Sequence, residues 1–395
     1  MAEWESKPLG EVCTIKPPKA EPRAKLADGD EVSFAPMEDL GINVKYLQPH
    51  RTRHLGEVSG SYTYFADGDV LLAKITPCFE NGKLGVARGL TNGVGFGSSE
   101  YIVLRPAPTL DAEFLYYYLA RPTFLEEGAR TMTGAVGHKR VTKEFIESYP
   151  IPLPPVTEQR RVVAILDEAF ESIATAKANA EKNLQNAREL FESDLQRTFG
   201  QAPGGADPTT LGAVCKFVGG SQPPKSEFIG EPRDDYVRLI QIRDYKSDKK
   251  AVYIPKELAR RFCAADDVMI GRYGPPLFQI LRGLDGAYNV ALMKAVPDES
   301  VLSKSYLFHF LRHRDMLSYI VASSARAAGQ IGLNKETIEP YPIYVPDLSA
   351  QTAIVSRIEQ LEDATQNLAR CAEQKLIALD ELKKSLLHQA FTGAI

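Results

Sequence analysis

Cysteine is scarce in this 395-residue chain. The five residues Cys13, Cys78, Cys215, Cys263 and Cys371 are odd in number and scattered, with no Cys-x-x-Cys pair. That spacing excludes a disulfide scaffold and a zinc-type Cys/His site. The thiols read as reduced, mostly buried groups of a cytoplasmic protein. Long apolar runs are missing too. None approaches the ~18 residues that span a bilayer, and residues 1–11 are charged, with no apolar core of a signal peptide. Charge of one sign is not in excess: 47 Lys+Arg stand against 51 Asp+Glu, a net charge of −4. A strongly basic footprint is therefore absent, although a sum does not describe a local patch.

Catalytic motifs are lacking as well. There is no Gly-x-x-x-x-Gly-Lys-Ser/Thr loop for a nucleotide triphosphate and no His-Glu-x-x-His. Tyr273-Gly274-Pro275-Pro276 resembles an amino-methyltransferase motif but has no amide or carboxylate to hold a target amine. No pair of carboxylates forms a nuclease or glycosidase pattern. The glycine-rich Gly93-Val94-Gly95-Phe96-Gly97 does not precede a helix and reads as a turn rather than a phosphate cradle. Cys13 and Cys215 occupy apolar settings that favour burial over nucleophilic catalysis.

What is present is a chain of ordinary globular composition, 44% hydrophobic and 25% charged, long enough for two to three domains of ~150 residues. It repeats itself. Leu9-Gly10-Glu11-Val12-Cys13 returns as Leu211-Gly212-Ala213-Val214-Cys215, and Tyr149-Pro150-Ile151 as Tyr341-Pro342-Ile343. Gly137, Lys143, Glu144 and Ile146 return as Gly329, Lys335, Glu336 and Ile338, and Asp69-Val70 as Asp267-Val268, with Lys74 matching Arg272. The boundary falls in the turn-rich Gly200-Gln201-Ala202-Pro203-Gly204-Gly205.

Each copy has the same order. A mixed region carries strand-like runs such as residues 70–73, 101–104 and 236–242, punctuated by Gly and Pro. A short helix follows at residues 112–119 and 304–311, then a proline-rich joint. Last comes a helix free of proline and glycine, over residues 157–199 and 349–391, with Thr157 and Ser349 placed as N-caps. Apolar residues recur every three or four positions. The stripe includes Leu166, Ile173 and Leu184 in the first helix, and Ile358, Leu368 and Leu376 in the second. A helix of that length reaches about 65 Å, and so narrow a stripe calls for a partner helix. The bland alternative is that each helix packs only on its own domain.

The expected fold is α+β (mixed α/β): two globular domains in tandem pseudo-twofold repeat, joined by two long helices in an antiparallel coiled coil. The domains are placed at 1–155 and 201–346, the helices at 156–200 and 347–395.

Subtracting the helices leaves 17 Lys+Arg against 20 Asp+Glu in residues 1–155, and 19 against 16 in residues 201–345. Any DNA-binding surface must then be segregated into clusters. Candidates are Arg51 and Arg53 between His50 and His54, Lys74, and Lys139 with Arg140. In the second copy they are Arg243, Lys249, Arg272 with Tyr273, and Arg326 with Gln330. Arginine can bond guanine O6 and N7 together, and lysine mostly positions phosphates. A solvated surface is the plain alternative for each.

Ile151-Pro152-Leu153-Pro154-Pro155-Val156-Thr157-Glu158-Gln159, leading into a long helix, resembles the entry to the spacer helix of the DNA-specificity subunits of type I restriction-modification systems. Gly97-Ser98-Ser99-Glu100-Tyr101, Leu104-Arg105-Pro106 and Gln389-Ala390-Phe391-Thr392-Gly393 resemble the same family. The second joint, Val345-Pro346-Asp347-Leu348-Ser349-Ala350-Gln351, departs from the pattern by losing a proline and the Glu, while keeping the Gln. The resemblance implies a non-catalytic recognition subunit. Its two target-recognition domains would read the halves of a bipartite site in double-stranded DNA. Its helices would set the gap and dock two methyltransferase subunits, with restriction subunits joining in the full complex. It implies no cofactor in this chain; S-adenosylmethionine, ATP and magnesium belong to the partners. Three other readings stay open: a modification-only or other phage-defence methylation system, a coiled-coil adaptor that binds no DNA, and a single-chain enzyme with unfamiliar motifs.

Overall fold

The computed structural model describes residues 4–135, 137–200, 208–274, 276–326 and 333–392. The chain divides into two compact units, Met1–Ala180 with Gln374–Ile395, and Glu181–Glu373. Each holds one mixed region and stretches of both long helices.

The first unit runs β1 (Ser6–Pro8), α1 (Leu9–Val12), β2 (Cys13–Ile15), β3 (Glu31–Ala35), β4 (Arg51–His54), α2 (Leu55–Val58), β5 (Thr63–Ala66) and β6 (Val70–Ala73). It continues with β7 (Leu84–Val86), β8 (Val94–Gly97), β9 (Tyr101–Pro106), α3 (Ala112–Leu119), α4 (Pro122–Thr131), α5 (Lys143–Ser148), β10 (Pro150–Pro152) and the long α6 (Val156–Phe199). Two four-stranded sheets form, ordered β2-β9-β6-β7 and β4-β3-β8-β5. All their pairings are antiparallel except β3 with β8. The apolar run Val70-Leu71-Leu72-Ala73 explains why β6 is central. Side chains alternate across a strand, so Val70 and Leu72 enter the core that holds α3. Leu71 and Ala73 enter a second core shared with Phe65 and Tyr101. Each fully buried leucine contributes roughly 2 kcal/mol.

The second unit repeats this plan. It runs β11 (Thr209–Thr210), α7 (Leu211–Val214), β12 (Cys215–Gly219), β13 (Tyr236–Ile240), β14 (Tyr253–Pro255), β15 (Phe262–Cys263), β16 (Val268–Gly271) and β17 (Gln279–Leu281). Then come β18 (Gly286–Tyr288), β19 (Leu292–Pro297), α8 (Lys304–Leu311), α9 (Arg314–Arg326), α10 (Lys335–Ile338), β20 (Pro342–Ile343) and the long α11 (Leu348–Ala390). Its sheets are ordered β12-β19-β16-β17 and β14-β13-β18-β15, the same arrangement strand for strand. The parallel pair recurs as β13 with β18.

The joint before each long helix is fastened by one buried glutamine. Gln159 accepts from the Asp111 backbone N–H (2.7 Å) and donates to the carbonyls of Thr109 (2.9 Å) and Pro154 (2.8 Å). Gln351 accepts from Ser303 N–H (2.9 Å) and donates to Val301 (2.7 Å) and Pro346 (2.8 Å). An amide offers both a donor and an acceptor in one plane. A carboxylate could not replace it, which is why the second joint keeps Gln351 while losing the neighbouring Glu.

Counting from these glutamines, the long helices bury a residue every seven: Leu166, Ile173, Ala180, Ala187 and Asp194 in α6, and Ile358, Thr365 and Ala372 in α11. That period marks a coiled-coil seam. In the first unit the helices run antiparallel, with Val162 and Leu166 in one core with Leu387 and Ala390. Further along, Lys383 lies over the Phe170 ring and Lys177 pairs with Asp380. In the second unit Arg357 bonds Asp194 (2.7 Å).

Three sequence expectations are corrected here. Leu368 is 58% exposed. The seam advances from Thr365 by four residues to the half-buried Ala369 rather than by three to Leu368, so the leucine stands off it. Leu184 and Leu376 are half-buried on the seam. The glycine run is a strand, not a turn. A side chain at Gly95 would meet the Phe65 ring at 2.2 Å and one at Gly97 the Ala35 carbonyl at 2.2 Å, so glycine permits the close packing of β8. The expected N-caps also differ from those observed. Asp347, not Ser349, caps α11 by accepting from Ala350 N–H (2.8 Å), and Thr157 lies in the first turn of α6.

Candidate nucleic-acid interface

In the first unit the chain leaving β6 meets the segment before α5. Thr76 N–H donates to the Lys139 carbonyl (2.9 Å), and Val141 N–H donates to the Lys74 carbonyl (2.9 Å). This brings Lys74, Lys139 and Arg140 together. Arg140 holds Glu100 with two bonds of 2.9 and 2.7 Å. Those bonds keep the Glu100 carboxyl below the usual carboxylate range. Lys74 donates to the Ser99 carbonyl (2.9 Å) and lies 3.9 Å from Glu100. Lys139 is exposed, with no side-chain partner among the described residues. Arg51 and Arg53 are placed elsewhere, on β4 at the edge of the other sheet. Arg51 pairs with Glu38 (3.0 Å), while Arg53 stacks over Phe34 at 5.0 Å.

In the second unit Arg243 and Lys249 lie on two short turns after β13, Ile242–Tyr245 and Asp248–Lys250. Arg243, Lys246, Lys249 and Lys250 are all exposed there. Of the acids among them, Asp248 is occupied by Arg238 (2.6 Å). Asp244 is buried and receives the Gln241 N–H, and its burial raises the carboxyl pKa. This turn pair is therefore a cationic surface. Arg272 is differently engaged. Its guanidinium donates to the carbonyls of Leu333 (2.8 Å) and Val290 (3.3 Å) and to Asn334 Oδ1 (3.1 Å), with its carbon 5.5 Å from the Tyr273 ring. It ties β16 to the segment before α10. Arg326 ends α9; its side chain and Gln330 lie outside the described residues.

The sequence reading missed Lys16 and Lys19, which flank Pro17-Pro18 after β2 and share a cleft with Lys74 and Lys143. The Lys-Pro-Pro-Lys spacing was the available signal. It also missed the carboxylates that neutralise cations inside each unit. Asp69 is buried and takes two bonds from Arg105 (2.7 and 2.8 Å). Burial alone would raise the Asp267 carboxyl, but hydrogen bonds from Lys304, the Ala264 N–H and Lys294 hold it at about 2. Burial pushes the Cys13 and Cys215 thiols up to about 12, which removes them as nucleophiles. Among the described residues no group of His, Cys, Asp and Glu could hold a metal ion, and no helix is long and apolar enough to cross a membrane.

Comparison with known proteins gives consistent findings. The family model for the type I restriction modification DNA specificity domain matches residues 1–185 and again 203–377. The EcoEI specificity subunit of Escherichia coli is 37% identical over 209 residues, 48% of this chain and 34% of that protein. The EcoAI subunit of the same species is 37% identical over 194 residues, 49% of this chain and 32% of that one. The match thus spans about a third of the length of these two relatives. A putative MjaX specificity subunit of Methanocaldococcus jannaschii is 22% identical, covering 83% of this chain and 78% of its own. Among solved structures, a chain from work on complex assembly and conformational transition of the type I R-M system superposes with a TM-score of 0.80, at 19% identity. The coverage is 100% of this chain and 99% of that one. The HsdS subunit of Thermoanaerobacter tengcongensis gives 0.68 at 19% identity, covering 100% and 97%. At these identities the superpositions speak to the fold.

Proposed function

The chain belongs to the type I restriction modification DNA specificity family, and from that premise we propose that it is the non-catalytic recognition subunit of such a system, reading a bipartite site in double-stranded DNA. The domains at 1–155 and 201–346 each read one half-site. The long helices set the gap between the half-sites and dock two methyltransferase subunits, to which restriction subunits add. The adenine-methylating chemistry, S-adenosylmethionine, ATP and magnesium reside on those partners.

One observation carries the reading: a single topology occurs twice, with the same glutamine-fastened joint but different cationic loops. In the first copy the exposed cations surround Lys74 and Lys139; in the second they occupy the turns at Arg243 and Lys249. A shared scaffold with unlike basic loops suits two modules that read different sequences. Leu190 and Leu368, exposed on the long helices, supply apolar surface for a docked subunit.

The test is to sequence the methylated adenines of a host that carries this chain and its methyltransferase partner. Two half-sites with a fixed gap are expected. Replacing residues 201–345 with the matching region of a relative should change one half-site only. Inserting seven residues into both long helices should lengthen the gap and leave both half-sites intact. A change in both half-sites after the replacement, or an unchanged gap after the insertion, refutes the modular reading.

A further inference from the structure

The two units differ at one spot where their backbones agree. Lys74 and Arg272 leave the same strand, β6 and β16, and both donate to the matching carbonyl, Ser99 (2.9 Å) or Val290 (3.3 Å). The longer arginine goes on to bond Leu333 and Asn334. The lysine stops at Ser99. In the first unit a cleft of about 340 Å³ opens beside Lys74, bordered by Val141, the counterpart of Leu333.

The cleft joins two chemistries. Ile15, Ile102, Val141 and Tyr101 give it an apolar floor, and Lys16, Lys19, Lys74 and Lys143 give it a basic rim. Lys19 donates to the Gly60 carbonyl (3.0 Å) and Lys143 pairs with Glu147 (2.7 Å). Lys16 is held at φ 60°, is exposed, and has no side-chain partner among the described residues. The left-handed backbone sets the direction in which that side chain leaves the chain. A flat heterocycle fits an apolar slot of this size, and an anionic group at its edge fits the ammonium rim.

We infer that this cleft binds a single nucleotide, with the base on the apolar floor and the phosphate against Lys16 and its neighbours. Two sources share that chemistry: a free mononucleotide, and a nucleotide swung out of a DNA strand. Only the second rests on the DNA-reading function.

The second unit supplies the decisive variant. Lys74→Arg keeps the charge, and Arg272 shows that this backbone accepts arginine, so the substitution should fill the cleft without unfolding the unit. Equilibrium dialysis of the full chain against the four deoxynucleoside 5′-monophosphates and against inorganic phosphate reads the result. At least one monophosphate should bind about tenfold or more tighter than phosphate alone. Lys74→Arg should weaken it by about tenfold or more, and Lys16→Ala by several-fold. Thermal unfolding of both variants should match the parent. A duplex with one bulged nucleotide separates the sources. Preference for it over a fully paired duplex, lost in Lys74→Arg, assigns the strand; equal binding of the two duplexes beside tight monophosphate binding assigns the free nucleotide. No binding of any monophosphate or of the bulged duplex overturns the inference, as does a Lys74→Arg chain that binds like the parent. The methylated sequence is read separately, so an unchanged bipartite site beside absent nucleotide binding rejects the cleft alone.

Discussion

Replacing His309 with tyrosine should stabilise the second unit and flatten its response to acid. His309 is fully buried on α8, and neither ring nitrogen has a hydrogen-bond partner among the described residues. The Glu359 carboxylate on α11 stands 3.8 Å from Nε2. Burial first, then the charges of Arg312 and Arg282, lower its pKa to about 4 against the pull of Glu362 and Glu359. The ring is therefore neutral at pH 7. In the unfolded chain it titrates near its ordinary value of about 6.5. Between pH 6.5 and 4 the unfolded state binds more protons, so stability falls as pH drops through that window. The full loss is on the order of 3 kcal/mol. At the matching place in the first unit the Tyr117 hydroxyl donates to Asp167, the counterpart of Glu359. His309→Tyr should rebuild that bond and relieve an unpaired polar group, a gain of about 1–2 kcal/mol. The neighbouring cleft of about 450 Å³ beside Arg312 and Glu359 takes up the added volume. Calorimetry of the full chain at pH 7 should show the second unit melting roughly 2–8 °C higher, and the margin over the parent should widen toward pH 4.5. His309→Phe should flatten the pH response and give only part of the gain at pH 7, because it removes the unpaired nitrogens without forming the bond. Parallel pH curves for parent and tyrosine variant would refute the reasoning.

The glutamine joints should behave alike: Gln159→Leu and Gln351→Leu each leave a buried N–H and two carbonyls unbonded, and should cost about 3 kcal/mol in urea unfolding. Asp267→Asn should lower stability at pH 7 by about 2 kcal/mol. Because the parent carboxyl sits at about 2, below its unfolded value, its contribution is present above pH 4 and vanishes as pH falls toward 2; acid titration of the variant should lack that step. Arg272→Ala should weaken the second unit by about 2–3 kcal/mol through its three lost bonds. An unchanged melting temperature with relaxed base preference would instead make Arg272 a reader.

The repeat was legible because the scaffold reuses residues that have no substitute. Gln159 and Gln351 perform the same three-bond task, and a Cβ on the glycine of each Leu-Gly pair would press on a facing backbone, 3.2 Å from the Glu147 carbonyl at Gly10 and 3.3 Å from the Glu339 carbonyl at Gly212. Helix length was legible from the absence of proline and glycine. The finer seam was not: after Thr365 it passes through Ala369, where Leu368 looks better on paper, and side chains from the mixed region also reach the helices. Arg312, for instance, bonds Glu362 at 2.7 Å. Surface roles were least legible. Arg272, Arg140 and Arg51 look alike in sequence, yet the first is tied to backbone, the second is paired twice to Glu100, and the third has a single exposed carboxylate partner. Which cations remain available depends on distant acids that strand pairing brings near.

The two copies therefore separate what the fold needs from what it leaves to vary. The positions held constant, the glutamine latch, the Leu-Gly entry and the buried Asp69 and Asp267, each hydrogen-bond backbone groups in or beside the core. The positions that differ are accommodated on the same backbone by different contacts. Lys74 and Arg272 share one anchor, and Tyr117 with Asp167 stands where His309 faces Glu359. If reading DNA demanded the same side chains in both units, these positions would match as the latches do. On the proposed reading, their divergence on a common frame predicts that selectivity follows which cation is tied down and which is left free, and that a change such as Lys74→Arg alters one unit's ligand without disturbing the architecture of either.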